Sequence, residues 1–296
     1  MFAIENYIKQ KNQIINDKLK NILQNLKPGG AIIEAMQYSL MAGGKRIRPV
    51  LCLAAAESVG GKQEDVLTAA CALEMVHTYS LIHDDLPAMD DDALRRGKPT
   101  CHVAFDEATA ILAGDALLTL AFEVLSSVPI PDGNHAVKWL HVIRKISTAA
   151  GYQGMIQGQM LDIAAEGRKL TIDELATMHA LKTGALIQAS LHCGALLAGA
   201  KNSQMADLDT YARNIGLAFQ VADDILNVEG NPALMGKAVG TDRLRAKSTY
   251  PSILGLEASK HFSRKLVGQA LQAIETFDNN ADPLRALATY IIERKK

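Results

Sequence analysis

Two aspartate pairs carry the chemistry this chain can offer. Asp84-Asp85 is followed by Leu86-Pro87-Ala88-Met89-Asp90, and Asp223-Asp224 by Ile225-Leu226-Asn227. Each pair closes an apolar helical stretch, Met75 to Ile82 and Ile215 to Ala222, where bare carboxylates repel one another and lose hydration. They need cations. Oxygen-only clusters without a cysteine or histidine framework suit a hard divalent ion. Mg2+ fits best, because it keeps several waters and takes one or two carboxylates together with substrate phosphates. A single such cluster is more often a solvated helix end, but two with basic segments beside them shift the balance toward function.

The two motifs differ in geometry. Gln220, Asp223 and Asn227 are spaced three and four apart and share a helix face. Asp90 follows Asp84 by six residues, which on a continuous helix turns it away by ~240° at ~100° per residue. Pro87 removes a helix hydrogen bond and disfavours helical geometry at Leu86, so the helix ends there and a turn brings Asp90 back toward Asp84 and Asp85.

Cations suited to phosphate surround these motifs. Gly43-Gly44-Lys45-Arg46-Ile47-Arg48-Pro49 places three beside a permissive backbone just ahead of a helix, whose N-terminus favours an anion. Arg95-Arg96-Gly97 follows the first motif, Lys182-Thr183 lies within a helix, and Lys237 and Lys247 belong to a Gly-rich stretch from Glu229 to Ser248 that reads as a lid. Any one of these is more often a solvated charge. Together with the carboxylates they point to a diphosphate.

These groups need a scaffold, and its pattern is helical. With 296 residues and 48% hydrophobic content the chain can bury a large core. Helical periodicity covers 2–25, 31–42, 48–59, 64–85, 106–127, 135–165, 172–200, 204–228, 252–277 and 283–294, and almost nothing alternates with strand period. Thr171 and Glu174 spell a capping box, Gly60-Gly61 ends a helix, and Asp282-Pro283 offers an N-cap followed by proline. No low-complexity linker interrupts the pattern, so residues 1–296 read as one all-α domain. The net charge of −1 argues against a general nucleic-acid binder, so an anionic ligand must be held by local charge. Cys52, Cys71, Cys101 and Cys193 lack paired spacing and read as buried free thiols of a reducing, cytoplasmic compartment. No signal segment is visible. Gly184 to Ala200, the most span-like stretch, is too short and polar and reads as a core helix.

The strings GGKRIRP, SLIHDDLPAMDDDALRRGKPTCH, GDALL, LKTGALI, FQVADDIL and KSTYP, in that order between Gly43 and about Gly255, resemble the short-chain trans-isoprenyl diphosphate synthases, most closely the bacterial farnesyl diphosphate synthases. The resemblance implies a helical bundle around a deep central cavity, a homodimer, and condensation of isopentenyl diphosphate with dimethylallyl and then geranyl diphosphate. It implies Mg2+, three ions per site, held by Asp84, Asp85, Asp90, Asp223 and Asp224. Gly44, Lys45, Arg48, His77 and Arg96 align with the isopentenyl diphosphate site. Arg95, Lys182, Lys237 and Lys247 align with the allylic diphosphate clamp, with Thr183 and Gln220 beside the reacting carbon and Gln159 and Asp162 as a supporting pair. Tyr79 and Ser80, five and four residues before Asp84, align with the positions that set chain length, an aromatic at the former being associated with stopping at fifteen carbons. His83, another lone helical histidine, is not counted as a ligand.

Two positions depart from the pattern: Asn227 stands where a third aspartate is usual, and Ala93 replaces a frequent aspartate. They leave room for a non-catalytic subunit of a prenyltransferase, against which the otherwise nearly complete set of motifs weighs. A geranylgeranyl diphosphate synthase is a closer alternative. A terpene cyclase would have no use for Lys45, Arg48 and Arg96.

Overall fold

A computed structural model describes residues 2–27, 29–229 and 247–294, and the described residues are overwhelmingly helical. Helices α1 (Ile4–Gln24), α2 (Ala31–Leu40), α3 (Ile47–Ser58) and α4 (Gln63–Asp84) lead to a two-residue hairpin, β1 (Leu94–Arg95) with β2 (Lys98–Pro99), and a short α5 (Cys101–Ala104). Then come α6 (Glu107–Ser126), α7 (Gly133–Ala150), α8 (Met155–Ala164), α9 (Ile172–His179), a π-helical turn (Ala180–Gly184), α10 (Ala185–Leu197) and α11 (Asn202–Glu229). Beyond the second motif lie α12 (Tyr250–Leu254), α13 (Leu256–Ala273), a 3-10 turn (Asn279–Ala281) and α14 (Asp282–Glu293). Lys237 and most of the expected lid fall outside the described residues.

The expected helices form, and their breaks have local causes. The Thr171 box closes both ways, Glu174 accepting from the Thr171 amide at 2.8 Å and donating its own to the Thr171 hydroxyl at 3.3 Å. Asp106 and Asp132 cap α6 and α7 by accepting from the Thr109 and His135 amides, each at 2.8 Å. The helix expected over 135–165 breaks at Gly151-Tyr152-Gln153-Gly154, where the turn is so tight that a Cβ on Gly154 would lie 2.2 Å from the Ala149 carbonyl. That expected over 252–277 breaks at Gly255, whose φ of +84° is left-handed. Asp282 is not the N-cap: α14 begins with it, Ala281 is the cap, and the Asp282 carboxylate takes Arg285 at 2.7 Å. The hairpin leaves no trace in the sequence pattern, because two residues per strand are too few for alternation to show.

The core lies where α3, α4, α6, α10 and α11 pack on one another. Gly194 of α10 lets α3 approach so closely that a Cβ there would meet the Cys52 carbonyl at 2.0 Å. All four cysteines are buried and free. The α10 helix is a core helix, as expected, but the described helix long and apolar enough to cross a membrane is α6, with a mean hydropathy of 1.7. It packs against α4, and length and composition alone single it out.

Candidate active site

The end of α4 turns as Pro87 requires. The Asp90 amide donates back to the Asp84 carbonyl at 2.8 Å, and the Asp91 amide, at a residue with φ +50°, to Leu86 at 3.1 Å. Asp84 is thereby set beside Asp90. Burial, and then the Asp90 and Asp85 charges, push its carboxyl up to about 6 despite nearby Lys182 and Arg95. Asp85 is buried, and both its oxygens accept from Arg95 Nε at 2.8 Å. Burial raises the Asp85 carboxyl and Arg95 opposes it. Burial works against the guanidinium in turn, but Asp85 outweighs it and holds Arg95 above its ordinary value. The three carboxylates share one loop, yet among the described residues no three His, Cys, Asp or Glu side chains are arranged to hold a metal. The physical reason is that protein cations take part of the set, Arg95 at Asp85 and Lys247 at 3.7 Å from Asp90.

The second motif is divided in the same way. Asp223, with a 44% exposed side chain, pairs with Arg294, whose guanidinium lies 4.1 Å from the Phe219 ring centroid. Asp224 is buried and accepts from Gln220 Nε2 and from the Tyr250 amide, each at 3.0 Å. Asn227 is buried as well. Arg294 had no sequence signal, since its partner lies 71 residues away.

A continuous polar circuit joins the motifs. Asp162 accepts from Lys182 at 2.6 Å and from Lys247 at 3.0 Å. Burial alone would raise the Asp162 carboxyl, but the two lysines outweigh it and hold it low. Next to Lys182, Thr183 donates to Gln220 Oε1 at 3.1 Å, and Gln220 leads on to Asp224. Lys182 and Thr183 sit on the π turn, whose wider winding displaces them from a regular α-helical stripe. Gly158 of α8 makes room, since a Cβ there would lie 2.1 Å from the Lys182 amide nitrogen. Gln159 Oε1, on the same helix, is buried with no hydrogen-bond partner.

A second group of cations has less to balance it. Burial lowers the pKa of Arg48, opposed by Glu74 and Asp223, and its Nε is buried without a partner. Arg96 is also lowered by burial. His77 is driven well below its usual range by burial and by Arg48, Arg96, Arg95 and Arg46, so it is neutral at physiological pH. Gly44 is held at φ +116°, a conformation that favours glycine, and lies against the Arg96 guanidinium, which donates to the Gly43 carbonyl. Lys45 follows, part-buried. Arg46, which shares this basic segment, is not available to a ligand. Its side chain is 1% exposed and donates to Glu74 at 2.7 Å, Leu40 at 2.6 Å and Asn16 at 3.1 Å.

Tyr79 is 6% exposed, meets His83 edge-on at 5.8 Å, and has a hydroxyl without a partner; burial, then Asp84, pushes its pKa up to about 12. Ser80 bonds the His77 carbonyl within its own turn at 2.9 Å. His83 packs on Gly114 and lies 2.9 Å from the Ile111 carbonyl, which gives it a structural task.

The chain resembles known proteins over nearly its whole length. Residues 30–287 match the model of the polyprenyl synthetase family. The farnesyl diphosphate synthase of Escherichia coli is 46% identical over 99% of this chain and 98% of its own length. The geranylgeranyl diphosphate synthase of Cyanophora paradoxa is 45% identical over 99% and 97%. The solved structure of an FPP/GFPP synthase from Zymomonas mobilis superposes with a TM-score of 0.85 at 38% identity, covering 98% of both chains.

Proposed function

Because this chain belongs to the polyprenyl synthetase family and is a short-chain trans-prenyltransferase of the all-α isoprenoid synthase fold, we propose that it makes farnesyl diphosphate, joining isopentenyl diphosphate first to dimethylallyl and then to geranyl diphosphate. The observation that carries the prenyl-transfer reading is the set of cations around one pair of acidic motifs, Arg48 and Arg96 beside His77, and Lys182 and Lys247 on Asp162, with Arg95 on Asp85 and close to His77 as well. Cations in this number suit two diphosphates. A terpene cyclase would need fewer.

The family uses Mg2+. The donor set here fits such an ion: carboxylate oxygens only, with Asp84 raised by burial and by its acidic neighbours and so relieved by added positive charge. Asp84, Asp85 and Asp90, with Asp223 and Asp224, are the residues that would hold three ions. Bound there, Mg2+ supplies charge stabilisation for a departing diphosphate.

The chain's own groups do the rest. Arg95, Lys182 and Lys247, with Lys237, hold the allylic diphosphate. Its carbon–oxygen bond then breaks toward a preorganised positive field, with no protein nucleophile. Lys45, Arg48 and Arg96 bind the diphosphate of the second substrate, and neutral His77 adds a hydrogen bond. The paired Thr183 and Gln220 oxygens lie beside the allylic cation, and its charge is offset without being trapped. The isopentenyl double bond attacks, a proton leaves to the released diphosphate, and Tyr79 forms the floor against which the product stops growing. The whole chain, 1–296, acts as one domain.

The exposed apolar Ile111 and Leu112 of α6 support pairing of two copies into a homodimer, and the four buried free thiols support a cytoplasmic location. A geranylgeranyl product is the second reading, favoured by the near-equal identity to the Cyanophora relative. Incubation with Mg2+, isopentenyl diphosphate and either dimethylallyl or geranyl diphosphate, followed by sizing of the products, tests the proposal. A fifteen-carbon product is expected. Twenty carbons favours the second reading, a hydrocarbon with free diphosphate a cyclase, and no turnover a non-catalytic subunit.

A further inference from the structure

The hairpin that carries Arg95 and Arg96 has little of its own to hold it in place. Two residues pair on each side, Leu94 with Pro99 and Arg95 with Lys98, and Leu94 is 55% exposed. A pair of strands this short is not stable alone. The Thr100 amide donates to the Ala93 carbonyl at 3.0 Å across the hairpin's own base, and beyond that bond its described ties to the rest of the protein divide into two kinds. Arg95 holds Asp85, Arg96 holds the Gly43 carbonyl, and the Asp92 amide donates to the Asp85 carbonyl at 3.2 Å. Those ties run through the arginines or the first aspartate loop, the parts that must rearrange when a diphosphate and its cations arrive. The other kind is Tyr38 of α2. Its hydroxyl donates to the Pro99 carbonyl at 2.7 Å, and its ring stands edge-on to Phe105 at 5.7 Å, just past α5. Pro99 has no amide to offer, so its carbonyl is the group through which the backbone of this arm can be pinned at that residue.

The geometry points to Tyr38 as a positioning residue: it fixes the base of the Leu94–Pro99 hairpin so that Arg95 and Arg96 stay aimed at the diphosphates after they release Asp85 and Gly43. Tyr38 touches no reacting atom. It acts by keeping two cations preorganised, which would otherwise be ordered at the expense of binding free energy. This rests on the proposed prenyl-transfer reading for its substrates, but only on diphosphate binding for its test.

The test uses Tyr38→Phe, which keeps the ring on Phe105 and removes one hydroxyl. Calorimetric titration with Mg2+ and inorganic diphosphate, and the KM for isopentenyl diphosphate, are measured with the melting temperature. Loss of one net hydrogen bond predicts a rise of about three- to tenfold in the diphosphate Kd and in KM, with kcat changed by less than about twofold. The melting temperature should fall by no more than about 6 °C, so the variant stays folded at 25 °C. In an Arg96→Ala background Tyr38→Phe should add nothing to the KM for isopentenyl diphosphate, because the group it positions for that substrate is gone. Unchanged Kd and KM in the folded variant would overturn the inference. So would an equal further rise in KM in the Arg96→Ala background, which marks a merely structural effect. A wild-type protein that binds diphosphate but transfers no prenyl group refutes the proposed function, and the calorimetric comparison then judges Tyr38 by itself.

Discussion

Tyr79→Ala should lengthen the product from fifteen carbons to twenty or more. Tyr79 lies five residues before Asp84, about 7.5 Å along α4 at ~1.5 Å per residue, which sets it further down the helix than the aspartate loop. It is 6% exposed, and its hydroxyl makes no hydrogen bond, so truncation removes packing and strands no partner. Deleting a buried aromatic ring costs about 3–5 kcal/mol, and the unpartnered hydroxyl places this case near 3. At roughly 2–4 °C per kcal/mol the melting temperature falls by about 6–12 °C, which leaves the protein folded at 25 °C if its stability is ordinary. Ser80, whose hydroxyl is tied to the His77 carbonyl, presents no bulk to replace the ring. Labelled isopentenyl diphosphate with geranyl diphosphate, dephosphorylation and reversed-phase separation of the alcohols gives the chain-length distribution. An active mutant that still stops at fifteen carbons would place the floor elsewhere and refute the assignment.

Asp84→Ala should abolish turnover and raise metal-free stability near pH 7.5. Its carboxyl is raised to about 6 in the fold, so stability falls as pH rises from about 4 to about 6, the folded protein holding the proton that the unfolded chain releases; the deficit above that window is on the order of 3 kcal/mol. Melting curves of both proteins should therefore differ at pH 7.5 and converge below about pH 4, and added Mg2+ should raise only the wild type. Asn227→Asp should lower the Mg2+ concentration giving half-maximal rate, since it restores a charge to the second motif; an unchanged or poorer response would show that position 227 does not limit metal binding. Glu74→Ala leaves Arg46 buried without its carboxylate and should cost about 3–5 kcal/mol, read by urea denaturation; a loss under about 1 kcal/mol would mean that the pair is dispensable.

What could be read from the chain was what is local. The Thr171 box, the helical periods of α4 and α11, the turn demanded by Pro87 and the two acidic motifs depend on residues a few positions apart, and the structure forms each of them. The breaks at Gly151 and Gly255 were also written locally, in glycines that the periodic pattern overrode. What the chain did not reveal was which of several similar charges faces which partner. Arg46 and Arg48 are two residues apart, yet one is spent on Glu74 and the other has a buried nitrogen with no partner. Asp84 and Asp85 are neighbours, yet one is raised among carboxylates while the other is gripped by Arg95. Arg294 at Asp223 and Tyr38 at Pro99 join residues 71 and 61 positions apart. Periodicity and capping arise from the backbone's own repeat and are visible in any window of sequence. The partner of a charge depends on which helices pack side by side, and only the tertiary structure decides that.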